Sequence, residues 1–197
     1  MRTLWIFIGL FVLLLLAAAF GITVGSVQIP LKDSLRILLS WPFVSQNNHD
    51  IIILQLRLPR VLLGMMAGFS LSLSGSVMQG VFRNPLADPY LLGIAGGATS
   101  GAALFIALGW TSPAFLVSIG AFGFGLLTVF IVYKLSETRL GRISSHTLIL
   151  AGIAIGALFA SITSFLTFVS GREQLRQIVF WTMGDLGSMV WEQMLPL

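Results

Sequence analysis

The 197-residue chain is 56% hydrophobic and 9% charged, with 11 Lys and Arg against 7 Asp and Glu and a net charge of +4. A soluble domain carries about 25% charged residues, so this composition excludes a water-soluble globule, and its hydrophobicity excludes a disordered chain. There is no cysteine, which rules out disulfides and thiolate sites, and no Lys/Arg run forms a nucleic-acid patch. What remains is an all-α, polytopic membrane helix bundle.

Crossing the hydrocarbon core takes about 20 apolar residues, so the uncharged stretches mark the spans. The first runs from Leu4 to Val24. Ala17-Ala18-Ala19, behind Arg2 and an apolar stretch, imitates a signal-peptide cleavage site, but Phe20, Ile22 and Val24 continue the apolar stretch past it. Val61–Phe82 supplies a second span of 22 uncharged residues. Pro89–Tyr133 holds 45, too many for one span, and Gly109-Trp110-Thr111-Ser112-Pro113 divides it into a third and a fourth. Ile143–Gly171 is the fifth. Arg172–Gly184 is amphipathic and too short to cross, so 171–187 reads as an external interfacial helix region; Trp191–Leu197 reads as the first turns of another apolar segment. Residues 1–197 are thus expected to form one transmembrane domain of about five spans.

Small residues recur every four positions, stacking on one helix face: Gly64, Gly68, Ser72, Ser76 and Gly80; Gly93, Gly97 and Gly101; Gly152, Gly156, Ala160 and Ser164. Such ladders let helix backbones approach closely, and some of these faces could instead line a passage. With the N-terminus inside, Arg2, Arg83, Lys134, Arg139 and Arg142 are cytoplasmic, whereas Lys32, Arg36, Arg57, Arg60, Arg172 and Arg176 are external. The positive-inside bias is absent from that total. The compact Lys134–Arg142 loop, with three cations and one acid, sets the orientation. The external arginines then call for an acidic partner.

Arg83-Asn84-Pro85-Leu86-Ala87-Asp88-Pro89 joins the second and third spans. Alone it is turn and helix-start chemistry, with Asp88 capping and Pro89 in the first turn. Together with Arg57-Leu58-Pro59-Arg60, Gly64, Gly68, Gly75, Gln79-Gly80 and Leu92-Gly93, and downstream Leu150-Ala151-Gly152 and Trp181-Thr182-Met183-Gly184, it resembles the FecCD-type permeases. These are membrane subunits of ABC importers for ferric siderophores, haem and cobalamin. The resemblance implies a homodimeric permease of the plasma (inner) membrane, served by two ABC ATPase subunits and an extracytoplasmic solute-binding protein. The permease itself would be no enzyme, with ATP and Mg on the partner ATPase and no cofactor or metal on this chain. It further implies a ten-helix subunit of which these residues match the N-terminal half, without the cytoplasmic coupling segment.

By the same resemblance, Arg57 and Arg60 dock acidic residues of the binding protein, as permanently charged, bidentate guanidiniums can; the bland alternative is snorkelling to headgroups. Ser144 and Ser145 match the small hydroxyl residues of a cytoplasmic gate, where capping is the plain alternative. The Arg172–Gln177 segment matches a helix lining the outer vestibule, an aromatic-belt helix being the plain reading. No role is assigned to His146 or Asp185. Catalysis has no support: H-E-x-x-H and G-x-x-x-x-G-K-[ST] are absent. An intramembrane serine protease needs a Ser–His pair at one depth, which Ser74, Ser76 and His146 do not supply. A secondary transporter is the alternative function, but ion coupling usually leaves intramembrane carboxylates.

The topology is open to direct measurement. On this cysteine-free background, Thr138→Cys in the Lys134–Arg142 loop is expected to react with an impermeant maleimide only after the membrane is opened; labelling of intact cells would reverse the orientation.

Overall fold

The computed structural model describes residues 1–40, 47–113, 115–137, 144–184, 186 and 191. Among them every regular element is helical, and the chain divides into two compact units, Met1–Gly68 with Leu186–Leu197, and Phe69–Asp185. Four helices are long and apolar enough to cross a membrane: Arg2–Thr23, Asn48–Phe82, Phe115–Ser136 and Ser145–Val169. Phe69, Phe122 and Phe168 are each at least 70% exposed, a surface that suits lipid and not water. The protein is a multi-pass membrane protein.

In the first unit, α1 (Arg2–Thr23) has 22 residues, about 33 Å at 1.5 Å per residue, which matches the hydrocarbon thickness. After it come α2 (Leu31–Ser40), α3 (Asn48–Ile51) and a π-helical stretch, Ile52–Arg57, that runs directly into α4 (Leu58–Phe82). Ile22, Ile29, Ile37, Ile53 and Leu54 form the core of this unit, drawing α1, α2 and the π stretch together. The helix containing α4 begins at Asn48, well before the expected Val61, because a capping box starts it: Asn47 N–H donates to Asp50 Oδ2 at 3.1 Å. The short α2 escapes a search for uncharged stretches because Lys32, Asp33 and Arg36 interrupt it, while Ser34 and Ile37 face inward. Trp191 Nε1 donates to the Leu54 carbonyl within the π stretch at 2.6 Å. The rest of the Trp191–Leu197 segment, with Asp185 and residues 138–143, lies outside the described residues.

The second unit is built around α5 (Ile94–Ala107), which packs against both α6 (Phe115–Ser136) and α7 (Ser145–Val169); α8 (Arg172–Met183) lies on α5 and α7. Ala102, Ala103, Ile106, Val117, Ala121 and Ile178 form its core. The helix within the expected third span is short. Pro89–Leu92 is a short 3₁₀ turn, Gly93 is left-handed with φ +69°, and only the 14 residues of α5 are α-helical. That is about 21 Å, less than a full crossing. α5 is held by protein on its sides: Gly97, Ser100, Gly101, Ala102, Ala103 and Ile106 are all buried.

Small side chains make that burial possible. A Cβ on Gly97 would collide with the Thr128 hydroxyl, one on Gly152 would stand 2.8 Å from Leu92 Cα, and one on Gly156 would stand 3.2 Å from Gly93 Cα. Gly93 itself needs glycine twice, for its positive φ and for the Gly156 amide 2.9 Å from where its Cβ would be. Gly64 and Gly68 differ. A Cβ on Gly64 would meet only the Leu186 side chain, at 3.8 Å, and one on Gly68 nothing within 4 Å. A Cβ on Gly75 or Gly80 would likewise meet nothing within 4 Å.

Gly97→Ala is accordingly expected to lower stability by about 1–3 kcal/mol, the usual cost of overpacking a filled site. Gly9→Ala, where a Cβ meets nothing within 4 Å, should be neutral or slightly stabilising because alanine favours the helix. Thermal unfolding of the detergent-solubilised protein compares the two.

Candidate functional site

Within the second unit, packing places like ends together. Leu91 and Gly93 abut Gly152 and Gly156 in the first half of α7, and Ile94 abuts Gly125 at the middle of α6. α5 then runs back toward the start of α6 and on along α7, with Gly101 against Gly120 and Ser100 against Phe159. The Arg83–Pro89 loop, the end of α6 and the start of α7 therefore share one end. At the other, Phe105 meets Trp110 edge-on at 5.3 Å, and α8 inserts Ile178 into the core beside Ile106 and Val117.

At the α8 end, a cavity of about 660 Å³ opens between α7 and α8, lined in part by Thr163, Thr167, Ser170, Arg172, Ile178 and Thr182. Its hydroxyls all turn back on their own helices. Thr163 donates to Phe159 O (3.0 Å), Thr167 to Thr163 O (2.7 Å), Ser170 to Leu166 O (2.6 Å) and Thr182 to Ile178 O (2.8 Å). A hydroxyl has a single proton to donate, so these hydroxyls offer a solute lone pairs and methyl groups, and the charged donor of the lining is Arg172. One wall is also tied to the core. Fully buried Ser100 donates to Phe159 O at 2.6 Å and lies 2.8 Å from Thr163 Oγ1. On the outer side of α8, Arg176 and Gln177 both donate to Glu173 Oε1, at 3.0 and 3.2 Å. Those donors, Arg176 above all, hold the Glu173 carboxyl below its ordinary range, so it stays ionised in mild acid.

At the opposite end, Arg83 occupies a left-handed position, φ +48°, just past α4, a place where glycine is usual. Its N–H reaches Gly80 O at 3.4 Å and that of Asn84 reaches Gln79 O at 3.2 Å, which closes the helix end. Asn84 Oδ1 accepts Leu86 N–H at 2.9 Å, and Asp88 Oδ1 accepts Tyr90 N–H at 2.7 Å with Pro89 opening the 3₁₀ turn. Pro85 and Pro89 have no N–H to satisfy. The loop thus meets its own backbone needs and leaves Leu86 outermost, 84% exposed. Ser144 is the N-cap residue of α7, its carbonyl accepting Leu148 N–H at 2.9 Å, but its hydroxyl makes no capping bond; Ser145 is exposed on the first turn.

In the first unit, the two arginines flanking Leu58-Pro59 have different surroundings. Arg57 is buried and donates to the carbonyls of Ile22, Thr23 and Val27. It is thus no surface cation, contrary to its sequence reading as one of two docking arginines. Arg60 is half-buried, and its Nε has no hydrogen-bond partner among the described residues.

The FecCD transport family model matches residues 12–197. The chain belongs to the FecCD transport family. Among its FecCD relatives, the hemin transport system permease protein HmuU of Yersinia pestis is 44% identical over 72% of this chain and 43% of its own length. The molybdate import system permease protein MolB of Haemophilus influenzae is 33% identical over 96% of this chain and 56% of its own. The cobalamin import system permease protein BtuC of Halobacterium salinarum is 42% identical over 72% of this chain and 38% of its own. A solved metal-chelate type ABC transporter in an inward-facing conformation superposes with a TM-score of 0.77 at 31% identity, over 96% of this chain and 56% of that one. The chain spans about half the length of the curated relatives it matches.

Thr163, Thr167 and the Ser100 tie were not singled out from the sequence, whereas Ser164, Arg172 and Thr182 of the same lining were named there in a small-residue ladder, an expected vestibule helix and a family motif. The signal was there, because Thr163, Thr167 and Ser170 recur at helical spacing in an otherwise apolar segment. Ser100→Ala should loosen α7 from the core at a cost of about 1 kcal/mol. Thr167→Val, whose hydroxyl serves only its own helix, should cost less. Denaturation in mixed micelles ranks them.

Proposed function

We propose that these residues form part of the membrane path of an ATP-driven importer of metal chelates, of the iron–siderophore, haem or cobalamin class, in the inner membrane. The observation that carries this reading is the cavity between α7 and α8, whose hydroxyl protons are all donated to helix carbonyls. A path for a bulky solute works by not holding it, and such a wall binds weakly while remaining wettable. The named relatives, permeases for hemin, cobalamin and molybdate, support the same class. Ion-coupled transport is disfavoured because α1, α4, α5, α6 and α7 contain no Asp or Glu. In this reading the permease is a homodimer. Two ABC ATPases, carrying ATP and Mg, act at the cytoplasmic end, and a solute-binding protein docks outside through Arg60. Ser144 and Ser145 act as the inner gate by their small size.

The test is uptake of a haem or cobalamin probe into proteoliposomes holding ATP, the two partner proteins and the full-length polypeptide that carries these residues. Ser144→Ala and Ser145→Ala are expected to keep most of the uptake, whereas Ser144→Trp and Ser145→Trp abolish it with the ATPase still bound. Arg60→Glu should weaken docking of the binding protein and flatten its salt dependence. Normal uptake by both Trp variants would remove the gate from these serines; uptake without ATP would overturn the class.

A further inference from the structure

We infer that Arg57 is a positioning residue: its guanidinium closes the carbonyl end of α1 and holds the α1–α2 corner, leaving Arg60 as the one of the pair free to meet an acidic partner. The last turn of any helix leaves carbonyls without intrahelical donors, and in a membrane these groups have little water to turn to. At the end of α1, Arg57 supplies the missing donors. Nη1 donates to Ile22 O and Thr23 O, each at 2.8 Å, and Nη2 donates to Val27 O in the segment leading to α2. One side chain thus joins the final turn of α1 to the chain beyond it, across about 30 positions of sequence.

The charge is compensated without a carboxylate. Arg57 is only 8% exposed and forms no ion pair among the described residues. Three carbonyl dipoles and the negative end of the α1 macrodipole face it instead. The planar fork of arginine suits three separated acceptors, whereas the compact ammonium of lysine does not. Gly25 is shaped to this group: a Cβ there would lie 2.7 Å from Nη2 and 3.1 Å from Cζ. The chain passes close against the guanidinium, and a Cβ at position 25 would have to displace it. Arg60, one helical turn further on, has no such acceptors, and its buried Nε lacks a partner. Three of the five N–H donors of Arg57 are engaged by carbonyls and the residue is buried, so little of it can reach a partner protein, whereas Arg60 is only half-buried.

The docking share of this inference rests on the importer reading; the clamp does not. Ile29, 3% exposed in the same core, is a reporter once changed to cysteine in the full-length polypeptide with any other cysteine replaced. Arg57→Lys and Arg57→Gln are expected to raise its maleimide labelling rate about tenfold, equivalent to about 1.4 kcal/mol of easier local opening. Gly25→Ala should do the same by crowding the guanidinium, and Gly25→Ala with Arg57→Gln should add nothing to either alone. Arg60→Gln should leave labelling unchanged and flatten the salt dependence of binding-protein docking, which the Arg57 variants keep. Unchanged labelling in Arg57→Lys, Arg57→Gln and Gly25→Ala would overturn the clamp. So would a loss of salt dependence in Arg57→Gln equal to that in Arg60→Gln. If neither arginine affects docking, the docking share fails with the importer reading, and the labelling result still decides the clamp.

Discussion

Hydrocarbon offers no hydrogen bonds, and every backbone N–H and C=O that it surrounds has to find its partner within protein. Helices solve the problem along their length and recreate it at their ends. The described ends meet it in different ways. Asn47 and Asp50 cap one helix start reciprocally, Asp88 caps the 3₁₀ turn, Arg83 adopts a left-handed conformation so that α4 can close on itself, and Arg57 supplies donors to the end of α1. The charged and polar residues of so hydrophobic a chain are concentrated at these places because that is where unpaired dipoles occur.

The same constraint governs the hydroxyls. Ser161, Thr163, Ser164, Thr167 and Ser170 of α7 and the residue after it all donate to carbonyls four positions back. Each is neutralised as a donor at little expense, which lets a membrane helix carry a polar stripe. Where that stripe faces the cavity beside α8, its hydroxyls present oxygen lone pairs and not free protons. Ser100 departs from the pattern by donating across to α7, and there the hydroxyl ties two helices together.

Association of the helices depends on contact, since lipid tails are as apolar as the side chains they would replace. α5 is the extreme case. Its glycine, serine and alanine face lets α6 and α7 approach to backbone distance, and a helix too short to cross alone is stabilised by dense packing on its sides. Phe122, Phe165 and Phe168 point the other way, toward lipid. The second unit is thus a firmly packed wall, and the cavity is bounded by α7, tied to the core, and α8, anchored through Ile178.

Composition alone determined that this is a helical membrane protein, because 9% charged residues cannot solvate a soluble fold. Uncharged length located α1, α4, α6 and α7, because crossing distance translates directly into residue number. The motif around Arg83–Pro89 carried the family. Only the tertiary structure decided the rest. α5 is shortened by a left-handed Gly93, whose conformation depends on the close approach of α7. The α2 helix gains its stability from a core that no single segment contains. Arg57 and Arg60 are the same residue type three positions apart, and sequence treats them alike. What separates them is the carbonyl end of α1, some 30 positions earlier in the chain, and a hydrogen bond to a distant backbone leaves no periodicity to read.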